Sequence, residues 1–70
     1  MAVNIFTVDL KDKMWAISRV GDETVQLAAY ERKRDALEGA RLLALRQMPS
    51  RLIVHDEQGA LEMECTFGQS

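Results

Sequence analysis

Apolar and polar residues alternate with a period of two near both ends of this chain, and follow a helical period in its middle. Residues 3–10 and 14–20 are rich in β-branched and aromatic side chains, which predicts two strands joined by a polar turn. Gly21 and Asp22 form a turn signal. Residues 24–28 then predict a weaker third strand.

The middle of the chain predicts one helix, from about residue 32 to residue 47, because good helix formers dominate it. Its predicted buried stripe comprises Ala36, Ala40, Leu43, Ala44 and Gln47, with Leu37 at its edge. The small residues Gly39, Ala40 and Ala44 would let the helix lie close to a sheet. Pro49 ends the pattern, since the residue before a proline resists the α conformation.

The last third of the chain predicts a hairpin. Residues 51–55 form a fourth strand, and residues 56–59 form a loop that ends in a glycine. Residues 61–67 alternate between apolar and acidic side chains, which predicts a fifth strand with one wet face. The tail, residues 68–70, is expected to be loose.

The element order β-β-β-α-β-β predicts a single α+β domain over residues 1–70. We expect an antiparallel sheet of four to five strands with the helix packed on one face, because short connections favour hairpins. Trp15, Val54 and Leu61 are expected to hold the sheet against the helix. A tryptophan in a central strand of so small a domain is usually part of the core, so stacking on a ligand is the less favoured role for Trp15.

Size, composition and charge add three expectations to this picture. A 70-residue chain buries little surface, and its lone Cys65 excludes an internal disulfide, so self-association is one expected source of stability and ordinary core packing alone is the other, with neither favoured. No apolar run approaches a membrane span and no signal-peptide pattern is present, so we expect a cytoplasmic protein. The net charge of -2 is uneven, with a basic helix region and an acidic C-terminal hairpin.

Short motifs along most of the chain resemble a known family. They are Trp15-Ala16-Ile17, Gly21, Ala36-Leu37, Ala40, Leu43-Ala44, Leu52-Ile53-Val54-His55 and Gly59-Ala60-Leu61. From about residue 8 to residue 68 the chain resembles DUF2188, a family of small bacterial domains of unknown function. The resemblance implies a fold and no activity. Two departures are Arg32, where the family tends to place a helix-capping threonine, and the leucines Leu42 and Leu45 on a helix face that the family tends to keep polar.

Candidate catalytic chemistry centres on His55, the one side chain that titrates near neutral pH. Asp56 and Glu57 follow it and could orient its ring or share a metal, but a role in shaping the turn is favoured. Cys65 is expected to act as a small buried hydrophobe, although a Cys-His pair across the hairpin is possible. Glu62 and Glu64 are expected to form a solvated acidic face. We therefore expect no enzyme, no cofactor and no metal.

The outer face of the helix gives the favoured functional hypothesis. Leu42 and Leu45 lie there, flanked by Arg41 and Arg46, and two leucines one turn apart on a wet face indicate a contact patch. We expect a non-enzymatic interaction module that acts through protein contacts. The expected assembly is a homodimer that pairs helix to helix.

Nucleic-acid binding is the alternative hypothesis. Its candidate residues are Arg32, Lys33, Arg34 and Arg41. At about 100° per residue these side chains do not form one stripe, and nearby acids dilute their charge. This function is therefore less favoured than protein contacts.

Overall fold

The computed structural model describes residues 3–21 and 23–68. Its elements are β1 (Asn4–Lys11), β2 (Met14–Val20), β3 (Val25–Tyr30), α1 (Lys33–Arg46), β4 (Ser50–His55) and β5 (Leu61–Phe67). All six predicted elements are present, and each boundary lies close to its predicted position. Asp22 of the predicted turn, and Gln69 and Ser70 of the predicted tail, lie outside the described residues.

The five strands form one sheet in the order β3-β2-β1-β4-β5. Three neighbouring pairs are antiparallel, as expected for a mainly antiparallel sheet, but β1 and β4 are parallel, so the sheet is mixed and not purely antiparallel. The reason lies in the path of the chain. Two hairpins leave β3 running in the direction of β1, and α1 returns across the face, so β4 enters the sheet in the direction of β1.

The core lies between α1 and the face of the sheet that it covers. Its buried members are Phe6, Val8, Trp15, Ile17, Ala36, Ala40, Ala44, Leu52 and Val54. The predicted close approach of helix to sheet is confirmed, since Ala36, Ala40 and Ala44 are fully buried. Gly39 shows how close the approach is, because a Cβ added there would lie 2.7 Å from the hydroxyl oxygen of Tyr30.

Leu61 does not belong to this core. Trp15 and Val54 are buried as predicted, but Leu61 is 64% exposed. The pairing of β4 with β5 shifts between Val54 and His55, so Leu61 pairs with His55 instead of continuing the apolar side of β5. A shift of this kind re-aims the side chains that follow it.

The two ends of α1 are held differently. Its N-cap, Arg32, makes no capping hydrogen bond, which agrees with the missing threonine noted in the sequence. At the other end, the hydroxyl of Ser50 donates a hydrogen bond of 2.6 Å to the backbone carbonyl of Ala44, and the side-chain amide of Asn4 donates one of 2.7 Å to the backbone carbonyl of Gln47. The C-terminus of the helix is therefore tied to the first residues of β1 and β4.

Candidate interaction surface

A groove runs between α1 and β5 on the helix side of the sheet. It forms because α1 packs across β1, β2, β3 and β4, while β5 lies beyond its edge. Its volume is about 630 Å³. The lining residues are Arg34, Leu37, Glu38 and Arg41 on the helix and Leu52, Met63, Cys65, Thr66 and Phe67 on the strands.

The floor of the groove is apolar and incompletely covered. Leu52 is buried and Cys65 and Phe67 are half-buried, whereas Met63 is 41% exposed. β5 is also an edge strand, so the backbone groups along its outer side pair with no other strand of the sheet. An apolar floor beside a free strand edge is a typical feature of surfaces that bind another chain.

The helix wall of the groove carries both signs of charge. Arg34, Glu38 and Arg41 follow one another at intervals of four and three residues along the same flank of α1. Within the described residues, none of the three has an oppositely charged group within 4.0 Å. Their charges are therefore available to a partner.

Leu45 continues this flank, four residues after Arg41. It is 42% exposed, and Leu42, on the outer face of the helix, is 56% exposed. Both leucines thus lie on the solvent-exposed side of α1, as the helical periodicity of the sequence predicts. Arg46 lies in the last turn of the helix and does not line the groove.

The basic residues at the start of the helix do not form one surface. The ammonium group of Lys33 lies 5.2 Å from the ring centroid of Trp15 and pairs with the carboxylate of Glu62. Arg34 lines the groove, while Arg32 is exposed at the N-cap. Of the four residues named for phosphate contact, only Arg34 and Arg41 share a surface, and Glu38 shares it with them.

His55 lies on the opposite face of the sheet, and its partner comes from β1. Its Nδ1 is 2.7 Å from Oδ1 of Asp9, although the ring N–H is not aligned for a hydrogen bond. The carboxylate beside the ring is thus that of Asp9, and not that of Asp56 or Glu57, whose role in orienting the ring was the less favoured possibility. The sequence held no signal for Asp9, since its position beside His55 depends on the parallel pairing of β1 with β4.

The other candidate pairs are also separated by the sheet. Cys65 packs against the core on the helix side, so the possible Cys-His pair with His55 is not formed. Glu62 reaches Lys33 on the helix side, whereas Glu64 pairs with Ile53 on the uncovered face, so the two carboxylates do not share a face. Across residues 3–21 and 23–68, no three His, Cys, Asp or Glu side chains cluster in a way that could hold a metal ion.

Asp56, and not His55, shapes the hairpin. Its carboxylate accepts hydrogen bonds from the backbone amides of Gln58 (2.9 Å) and Ala60 (3.0 Å), and Gly59 completes the turn at a φ of 85°. The bonds from Ala60 and Gln58 hold the pKa of the Asp56 carboxyl below its usual range.

We expect this carboxylate to make hairpin stability depend on pH. A lowered pKa in the folded state means that the stabilisation is present above the unfolded value of about 4 and is lost as the pH falls below it. Asp56→Ala should thus destabilise the protein at pH 7 and have a smaller effect at pH 3. Urea unfolding of both proteins at the two pH values measures this. An equal effect at both would contradict the assignment.

Sequence reasoning missed the contribution of Leu37, Met63 and Phe67 to an open groove. The alternation in β5 predicted that its apolar side is buried. A comparison of the width of one helix with the width of a five-stranded sheet would have shown that part of that side stays open. A helix is about 10 Å wide, whereas five strands spaced about 4.8 Å apart span roughly 19 Å, so part of a five-stranded face must remain open beside a single helix.

None of the described segments forms a helix with the length and hydropathy needed to cross a bilayer. The resemblance to DUF2188 stays a prediction. Searches of protein-family models, of curated proteins and of solved structures find no match to this chain.

Proposed function

We propose that this chain is a non-enzymatic interaction module that associates with a second copy of itself through the groove between α1 and β5. The observation that carries the proposal is the half-open apolar floor of the groove, with exposed Leu45 on the adjoining flank of the helix. Both features leave apolar side chains of the protein open to solvent. Burial of such groups is the main favourable term in protein association.

Two further features support a second copy as the partner. A 70-residue domain buries a limited share of its surface, so an added interface contributes to its stability. The helix wall of the groove carries two arginines, Arg34 and Arg41, and one glutamate, Glu38. The same wall on a second copy can therefore place opposite charges against it. A partner of one dominant charge would match this wall less well.

We expect Leu45→Lys to weaken self-association about a hundredfold. Each leucine that leaves an apolar interface forfeits about 1.5 kcal/mol or more, and a two-fold dimer contains two of them. Sedimentation equilibrium at micromolar concentrations measures the dissociation constant. Circular dichroism checks that the variant stays folded.

Leu27→Lys is the matched control. Leu27 is 44% exposed, close to the 42% of Leu45, but it lies on β3 at the opposite edge of the sheet. Its substitution should leave the dissociation constant unchanged. A wild-type protein that sediments as a monomer throughout, or equal effects of the two substitutions, would overturn the proposal.

Nucleic-acid binding has less support than self-association. Arg34 and Arg41 do share the groove, but Glu38 lies between them and Lys33 is engaged with Glu62. Titration of a fluorescent oligonucleotide at increasing salt separates the two functions. Binding that weakens steeply with salt would favour this alternative, because released counterions make phosphate contacts salt-dependent.

The proposal places the module in the cytoplasm of a bacterium. The unpaired thiol of Cys65 supports a reducing compartment. The resemblance to DUF2188 supports the bacterial origin and the small-domain architecture. Neither bears on what the module does.

A further inference from the structure

We propose that two copies join groove to groove about a two-fold axis, with their α1 helices antiparallel and fully overlapped. This inference rests on the self-association proposed above and adds its geometry. It names the surface that fills the groove, which is the same flank of α1 and the same edge of the sheet on a second copy.

The flank of α1 at the groove has the spacing of a helix-helix seam. Arg34, Glu38, Arg41 and Leu45 follow one another at intervals of four, three and four residues. That spacing repeats every seven residues and keeps side chains on one narrow line along a helix, as in paired helices. The first three of these residues line the groove, and Leu45 extends their line toward the end of the helix.

Symmetry then determines which residues meet. Two antiparallel helices that overlap over their whole length, Lys33 to Arg46, place the two-fold axis midway between Gly39 and Ala40. Residues equally far from that point on either side face each other. Glu38 of one copy therefore faces Arg41 of the second copy, and the contact occurs twice.

The ends of the seam match as well. In the same register, Arg34 of one copy faces Leu45 of the second copy. The aliphatic stem of an arginine can cover a leucine while its guanidinium group stays in water. Leu45 is 42% exposed in a single chain, and in the dimer it thus gains an apolar neighbour.

Charge distinguishes this arrangement from the parallel one. A parallel two-fold pair would set each residue of the seam against its own copy, so Arg41 would face Arg41 and Glu38 would face Glu38. Like charges at such positions are destabilising. The antiparallel pair converts both repulsions into attractions, and these charges have no ion-pair partner among the described residues of their own chain.

The floor of the groove gains cover in the same dimer. Because the groove lies beside the seam, the groove of each copy opens toward that of the other. Met63 and Phe67 of both copies then lie below the paired helices and become a shared apolar layer. The partner therefore completes a surface that a single chain leaves half-open.

Charge reversal tests the register. Glu38→Arg and Arg41→Glu should each raise the dissociation constant of the dimer about tenfold, because each change replaces two attractions with two repulsions. The double variant Glu38→Arg/Arg41→Glu restores both pairs with their signs exchanged. It should return the dissociation constant to within about threefold of the wild type.

The double variant also separates this inference from the function on which it rests. If Leu45→Lys dissociates the dimer but the double variant is no tighter than the single ones, the register is wrong and self-association stands. If the wild type is monomeric, both proposals fall. Because Glu38 and Arg41 are exposed on a helix, loss of folding is a minor risk, and circular dichroism of each variant detects it.

Cross-linking gives a second test that does not depend on affinity. In a Cys65→Ser background, chains with Glu38→Cys and chains with Arg41→Cys are oxidised separately and as a mixture. The antiparallel register predicts a disulfide-linked dimer from the mixture and little from either chain alone. Cross-linking of Arg41→Cys chains with themselves, in preference to the mixture, would overturn the register.

Discussion

Phe6→Ala is expected to remove about 3–5 kcal/mol of the free energy of unfolding, the usual cost of deleting a fully buried phenylalanine ring. Phe6 has no exposed surface and lies on β1, the central strand, between β2 and β4. The small alanines of the facing helix cannot move inward to fill the space, since α1 is already in close contact with the sheet. Most of the resulting cavity should therefore persist.

This loss is large for so small a protein. At roughly 0.05–0.15 kcal/mol per residue, a domain of this length has about 4–10 kcal/mol of stability in total. Urea unfolding followed by Trp15 fluorescence measures the change, because Trp15 is the only tryptophan and is buried. Phe6→Leu is the control and should cost about 1.5 kcal/mol or less. Similar losses for both variants would show that the cavity argument is wrong.

Ala40→Leu is expected to be the next most damaging change, at about 2–3 kcal/mol. Ala40 lies at the centre of the buried stripe of α1 and has no exposed surface. A leucine needs three more carbon atoms of space where the helix contacts the sheet. The helix must lift, and contacts along the whole stripe weaken together.

The same substitution at an exposed alanine separates crowding from the chemistry of the side chain. Ala29 is exposed on β3, so Ala29→Leu has room for the added atoms. We expect its effect on the free energy of unfolding to be within about 0.5 kcal/mol, as for most surface changes. Thermal unfolding of both variants by circular dichroism makes the comparison. A loss at Ala29 as large as the loss at Ala40 would refute the crowding explanation.

The elements of this fold could be predicted from local patterns, but their arrangement could not. The alternation in residues 14–20 and the helical stripe through Ala36, Ala40 and Ala44 reflect which side chains face the core, so both were found. The parallel pairing of β1 with β4 depends on where a whole helix carries the chain. The residues of β1 and β4 carry no local pattern that distinguishes parallel from antiparallel pairing.

The same limit applies to the candidate surface. The exposure of Leu42 and Leu45 followed from the phase of the helix and is confirmed. The groove beside them could not be found in this way, because its floor belongs to β5, and the position of β5 follows from that of β4. Asp9 beside His55 was missed for the same reason, since the two residues are far apart in sequence.

The parallel pairing at the centre of the sheet has a consequence for the chain during its synthesis. β1 precedes every other element, and β2 can occupy one of its edges as soon as the first hairpin is made. The other edge must wait for β4, whose residues Ser50 to Val54 pair with Asn4 to Val8. Until then β1, which will be the central strand, has one unpaired edge, and unpaired strand edges can pair with other chains. The emerging polypeptide therefore needs protection until β4 has left the ribosome and can pair with β1.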